Sequence, residues 1–177
     1  MDATKTLCVK HDEASNVPRR ILFVCTGNTC RSPMAAALLN EMSRPREICS
    51  ADGELCLSPR LAATSAGLYA SVGDPITPAA ADALLAAGIP PRPDNDYTAH
   101  RARLVSEELV AEADEIVGLT ASHAMQLMLR FPQAASKICT LPMDIPDPFG
   151  GTAEVYRACL DRLRYALELA YFTEETS

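Results

Sequence analysis

A cysteine and an arginine close the two ends of a seven-residue run, Cys25-Thr26-Gly27-Asn28-Thr29-Cys30-Arg31, and Ser32-Pro33 follows at once. A thiolate is a strong nucleophile, and a guanidinium is a planar fork that matches two oxygens of a phosphate. Gly27 and Asn28 are residue types that tolerate left-handed backbone angles, so successive amides of the run can turn inward as a nest for an anion. Positive surroundings of this kind hold Cys25 as a thiolate, and the Ser32 hydroxyl can donate a hydrogen bond to its sulfur. Together these residues describe a phosphate cradle, Thr26 to Ser32, with a nucleophile at its floor. The competing reading is a buried cysteine before an ordinary strand–helix turn. Cys and Arg at this separation also occur by chance, so the flanking elements must decide.

Residues 20–25 (RILFVC) are a short apolar, partly β-branched run, which predicts a strand buried on both faces. Residues 32–42 carry apolar positions at helical spacing, with Pro33 in the first turn, where its missing N–H costs nothing. The cradle therefore opens onto a helix N-terminus, itself an anion site through its free amides and dipole. Further along, 61–66, 115–120 and 137–142 read as strands. Helices are predicted over 78–87, from 106 with Ser106 as N-cap, over 122–130, and from 152 to about 171. Strands alternating with helices imply right-handed crossovers, hence an α/β, doubly wound, four-stranded parallel sheet with helices on both faces. Ligands of such sheets sit beyond the carboxyl ends of the strands, where Cys25 stands.

The remaining composition narrows the function classes. The chain has 177 residues, 48% hydrophobic and 22% charged, as expected for one domain with a proper core. A net charge of −7 argues against nucleic acid as the main partner. No apolar run is long enough to cross a bilayer, and the charged first twenty residues lack the apolar core of a signal peptide. Seven cysteines is an odd count, which with no export signal points to reduced thiols in the cytoplasm. Cys139 and Cys159 lie on apolar faces and read as core, and Cys8 lies in the N-terminal extension. The expected organisation is a flexible extension over 1–19, a domain over 20–172 and a tail over 173–177. Within the domain, 46–60 reads as a hairpin insertion turning at Asp52-Gly53 and holding Cys49 and Cys56. No set of four ligands forms around those two cysteines, so no metal or other cofactor is expected. His11 and His123 read as solvated, and oligomeric state is not legible.

VCTGNTCRSP resembles the signature of the low-molecular-weight protein tyrosine phosphatase family, in which Cys-x5-Arg-Ser lies near the N-terminus. The resemblance continues in order through TSAG (64–67), residues 100–120, RFP (130–132) and DPFGG (147–151), and spans about residues 20 to 172. It implies the low-molecular-weight phosphatase fold and a cysteine-dependent protein phosphatase acting through a phosphocysteine. It also implies a catalytic acid at Asp147, and a histidine at position 100 that supports the cradle from behind, as Ser32 does. Chemistry agrees on the acid. Expelling a poor leaving group needs a proton donor, and a base must then activate water; one carboxylic acid on a facing loop can do both. Asp144, three residues earlier, is the other candidate.

Within the family, CTGNTCRSPMA and DPFGG are similar to the bacterial protein arginine phosphatases, in which threonine occurs at the position of Thr29. Members resembling tyrosine phosphatases tend to carry a larger aliphatic residue there. A small hydroxyl at Thr29 suits a polar phosphoguanidinium, and Phe149 is the second candidate specificity residue. The expected partner is a phosphorylated protein, phosphoarginine first and phosphotyrosine as the alternative. Two other functions use the same loop. Arsenate reductases need further cysteines in a mobile segment, and none occurs between Cys56 and Cys139. A non-catalytic phosphate-binding module would not need nucleophile and acid together.

Overall fold

The structure is a computed structural model that describes residues 17–44 and 60–173. The expected 46–60 hairpin, nearly all of the N-terminal extension, Cys8, His11, Cys49 and Cys56 lie outside the described residues. Four strands, β1 (Arg19–Cys25), β2 (Leu61–Gly67), β3 (Glu115–Gly118) and β4 (Ile138–Thr140), form one parallel sheet in the order β2-β1-β3-β4. The chain leaves β1 to one side and later returns to its other side. Its carboxyl end is therefore the switch point at which a doubly wound sheet opens a ligand crevice.

Among the described residues, five α-helices surround the sheet: α1 (Arg31–Met42), α2 (Pro78–Ala86), α3 (Glu107–Glu112), α4 (Ala121–Arg130) and α5 (Ala153–Tyr171), with α2 packed on α1 and α5. β1 divides its side chains between the faces, as period-two geometry demands. Ile21, Phe23 and Cys25 pack with α1, α2 and α5, whereas Leu22 and Val24 pack with Val110, Ala124 and Leu127 on the α3–α4 side. α1 is enclosed more fully than an amphipathic surface helix, with every residue from Arg31 to Leu39 buried. It lies between the sheet and α2 and α5. The small Ala35-Ala36-Ala37 run suits that position, because it lets neighbours approach from all sides.

Element boundaries differ from the sequence expectations in informative ways. β3 ends at Gly118, and Thr120 is instead the N-cap of α4, its Oγ1 accepting the His123 N–H at 3.3 Å. Residues before β4 form a 3-10 turn, Pro132–Lys137, after the proline that ends α4. Ser106 caps α3 as expected, accepting from the Leu109 N–H.

A buried carboxylate ties the amino ends of the strands, opposite the site. Glu115, 3% exposed, pairs with Arg19 at 2.7 Å and accepts from the Cys139 thiol at 3.1 Å and the Tyr171 hydroxyl at 2.9 Å. It thereby joins β1, β3, β4 and α5. Removing one member of a buried ion pair strands the other and typically costs about 3–5 kcal/mol; Arg19 reaches solvent, so the cost here falls toward the lower end. Glu115→Ala should lower unfolding stability by about 3 kcal/mol. Chemical denaturation showing a loss below about 0.5 kcal/mol, the usual range for a surface substitution, would remove the anchor role.

Candidate active site

The loop after β1 is shaped by Asn28. Its φ of 57° makes it the one described non-glycine residue with positive φ, and asparagine tolerates this region better than most residues. Its side chain is fully occupied. Nδ2 donates to Ser32 Oγ and to Ser65 Oγ, both at 2.9 Å, and Oδ1 accepts from the Arg103 N–H at 3.0 Å. Behind it, His100 Nε2 lies 2.7 Å from the Asn28 carbonyl oxygen, which can only accept, so Nε2 carries the proton. Burial pushes the His100 pKa down. His100, expected from the resemblance as a supporting histidine, thus lies behind the loop.

Gly67, at the end of β2, makes room for the same loop. A Cβ there would stand 2.7 Å from the Thr26 carbonyl oxygen and 3.1 Å from Asn28 Cβ. Next to it, Leu68 N–H donates to Cys25 O and Tyr69 N–H to Thr26 O, each at 2.9 Å. At the other rim, Thr77 N–H donates to Thr29 O at 2.9 Å. Thr29 itself is half-buried, and Phe149 is exposed.

At the centre, Cys25 Sγ accepts the Asn28 N–H at 3.3 Å and lies 3.0 Å from Ser32 Oγ. The Ser32 hydroxyl is also 3.3 Å from Ala66 O. Its hydrogen can therefore turn between a carbonyl and the sulfur, and an anionic sulfur draws it. Both donors point at the atom that would attack phosphorus. Cys30 is buried with its sulfur 3.4 Å from Thr77 Oγ1 and 3.4 Å from the Tyr156 hydroxyl. Cys159 lies beneath the following loop, its thiol pushed up to about 12 by burial despite Arg31 nearby, so it stays protonated. All four described cysteines are buried, and Cys25, Cys30 and Cys159 are free thiols.

Arg31 opens α1 with its side chain 7% exposed. Its guanidinium is held from three sides: Nη1 donates to Ile145 O at 3.3 Å, and Nη2 to Asp147 Oδ2 at 2.8 Å and Thr26 Oγ1 at 3.4 Å. The two candidate acids separate here. Asp147, half-exposed, meets the Arg31 fork, while its Oδ1 accepts the Phe149 N–H at 3.2 Å. Asp144 instead accepts the Ala121 N–H at 2.9 Å at the start of α4. Arg162 Nε donates to the Asp144 carbonyl at 2.9 Å, which ties that part of the loop to α5.

One sequence expectation is overturned. His123 is not solvated but 5% exposed, its ring between Thr26 Oγ1 (3.0 Å from Nε2) and Thr120 Oγ1 (2.9 Å from Nδ1). Burial, with Arg31 adding repulsion, pushes its pKa down to about 4. The overlooked signal was position: a third helical residue just after a strand end lies at the crevice. Among the described residues no group of three His, Cys, Asp or Glu side chains is placed to share a metal ion, and no helix is long and apolar enough to cross a membrane.

The same geometry has close counterparts. The chain is 37% identical to a protein-arginine-phosphatase of Geobacillus stearothermophilus, over 86% of this chain and 93% of that one. The solved structure of the YwlE arginine phosphatase from that organism matches with a TM-score of 0.70 at 38% identity, covering 86% of this chain and 91% of that one. A low molecular weight protein tyrosine phosphatase from T. tengcongensis matches with a TM-score of 0.71 at 34% identity, covering 85% and 95% respectively. Residues 20–174 match the family model of the low molecular weight phosphotyrosine protein phosphatases, and the chain belongs to that family of cysteine-based phosphatases.

Proposed function

We propose that this phosphatase works by double displacement at Cys25 and that its preferred substrate is phosphoarginine in protein. The observation that carries the mechanism is one cluster: a sulfur facing two donors, Asn28 N–H and Ser32 O–H, beside an Arg31 fork that contacts Asp147 at 2.8 Å. In the first step the Cys25 thiolate attacks phosphorus in line. The bond from phosphorus to the leaving nitrogen or oxygen breaks, and Asp147 gives that atom its proton, leaving a phosphocysteine. In the second step the Asp147 carboxylate takes a proton from water, whose oxygen attacks phosphorus. The phosphorus–sulfur bond breaks, the thiolate returns and phosphate departs. Amides of the 26–32 loop and Arg31 stabilise the equatorial oxygens in both steps.

Arginine as the acceptor side of the substrate rests on three supports. One is the similarity to an arginine phosphatase at 37% identity. Another is Thr29, half-buried at the rim where a larger aliphatic residue would favour a phenyl ring. The last is within the site: Asp147 already accepts from a guanidinium, that of Arg31, so its carboxylate has the reach and exposure to pair with a substrate guanidinium. The competing reading, phosphotyrosine, draws on the similarity to the T. tengcongensis tyrosine phosphatase. Free, buried Cys25, Cys30 and Cys159 suit a reducing compartment, and we assign the protein to the cytoplasm.

Cys25→Ser should abolish turnover yet still bind inorganic phosphate, since the amides and Arg31 remain; activity in that variant would sink the mechanism. Asp147→Asn should lower kcat by roughly 10²–10⁴ on a poor leaving group, with a smaller loss on an activated aryl phosphate. A larger effect from Asp144→Asn would reverse the assignment of the acid. The substrate assignment is tested by kcat/KM for phosphoarginine and phosphotyrosine peptides on the wild type and Thr29→Ile. We expect the wild type to favour phosphoarginine and Thr29→Ile to move the ratio toward phosphotyrosine by roughly 10–200-fold, as a pocket change of this size typically does. A wild type favouring phosphotyrosine, unmoved by the substitution, returns the protein to tyrosine phosphatase activity.

A further inference from the structure

Gly118 lets α4 approach the sheet closely: a Cβ there would stand 2.5 Å from the amide nitrogen of Ala124 and 2.9 Å from its Cα. Gly118 pairs in register with Val24, one residue before Cys25. The first turn of α4 is therefore set against the carboxyl end of β1, and His123 is buried beside the cradle.

Both ring nitrogens are engaged. Thr120 Oγ1, already accepting the His123 backbone N–H, lies 2.9 Å from Nδ1, so the helix cap clamps the ring. Nε2 lies 3.0 Å from Thr26 Oγ1. The same oxygen lies 3.4 Å from Arg31 Nη2, and a guanidinium can only donate. Thr26 Oγ1 thus accepts from Arg31 whichever ring nitrogen carries the proton. With Nδ1 protonated, the Thr26 hydroxyl donates to Nε2. With Nε2 protonated, the threonine accepts twice and its own hydrogen is free for a phosphoryl oxygen. The charged groups acting on the ring are Arg31, Asp147 and Asp144. Burial dominates them and keeps the imidazole uncharged near neutral pH, so it adds no second positive charge against Arg31.

We propose that His123 is a positioning residue of the phosphate cradle: its Nε2 fixes the Thr26 hydroxyl, which receives one edge of the Arg31 guanidinium and keeps the fork aimed at the phosphoryl group. This rests on the reading of Cys25 and Arg31 as the catalytic cradle. A ring that merely filled space would be indifferent to which of its ends is kept. Glutamine places its amide near the imidazole Nε2 and can still reach Thr26, whereas asparagine keeps only the Thr120 end.

The test measures kcat and KM on an activated aryl phosphate, together with melting temperature, for the wild type, His123→Gln, His123→Asn, Thr26→Val and Thr26→Val/His123→Asn. We expect His123→Asn to lose about tenfold in kcat/KM and His123→Gln to stay within about threefold, as small misplacements of a positioned group do. In the Thr26→Val background, His123→Asn should cost little more, because the two act through one contact. Equal effects of Asn and Gln, a loss that tracks melting temperature, or additive losses in the double variant would overturn the proposal. Thr26 is exposed, so Thr26→Val folds independently of the ring and should reproduce the loss. A fully active Thr26→Val protein refutes the proposal even where the His123 variants are unstable. Failure of the underlying mechanism shows differently, as turnover that survives Cys25→Ser.

Discussion

The cradle depends on one residue held in an uncommon backbone conformation. Asn28 turns the loop through the left-handed region, which aims its own amide at Cys25 Sγ. That conformation is unfavourable for most side chains. Here it is over-determined by Ser32, Ser65 and Arg103 on the side chain and by His100 on the carbonyl. A loop locked this way is preorganised: its donors need not reorient when negative charge develops on a bound phosphoryl group. The partners come from β2, from α1 and from the segment after the 3-10 turn Tyr97–Ala99, so these segments must come together before the loop is fixed.

The second constraint is the burial of α1. A helix enclosed from Arg31 to Leu39 carries its N-terminal arginine into the interior, where the guanidinium cannot be left to water. Ile145 O, Thr26 Oγ1 and Asp147 meet its donors. In the proposed mechanism Asp147 and a phosphoryl group are both partners for the same fork, so the Arg31 contact holds the proposed acid beside the proposed reacting centre. The ring of His123 extends this set of contacts from Thr26 to the cap of α4.

Substrate choice stands apart from this machinery. The arginine and tyrosine phosphatases that resemble the chain do so to similar extents in fold, with TM-scores of 0.70 and 0.71. The overall fold therefore does not separate the two activities, and in the proposed reading discrimination falls to side chains at the rim, with Thr29 and Phe149 the candidates. A difference of one small side chain in a pocket is worth only about 1–3 kcal/mol, too little to leave a trace in the fold.

Much of this was legible in the residues alone. The run from Cys25 to Ser32, between a buried strand and a helix, defined the cradle because anion binding, left-handed turns and nucleophilic sulfur each demand particular residue types close together in sequence. The parallel sheet followed from strands alternating with helices, since local patterning reports which faces are buried. Contacts between distant segments were another matter. The family resemblance pointed to Asp147 over Asp144, but the contact of Asp147 with Arg31, more than a hundred residues away, is not carried by sequence spacing. His123 read as solvated from the sequence, yet Gly118 lets α4 pack close enough to bury it against Thr26. Burial of a helix face is decided by what packs against it, and only the tertiary structure supplies that partner.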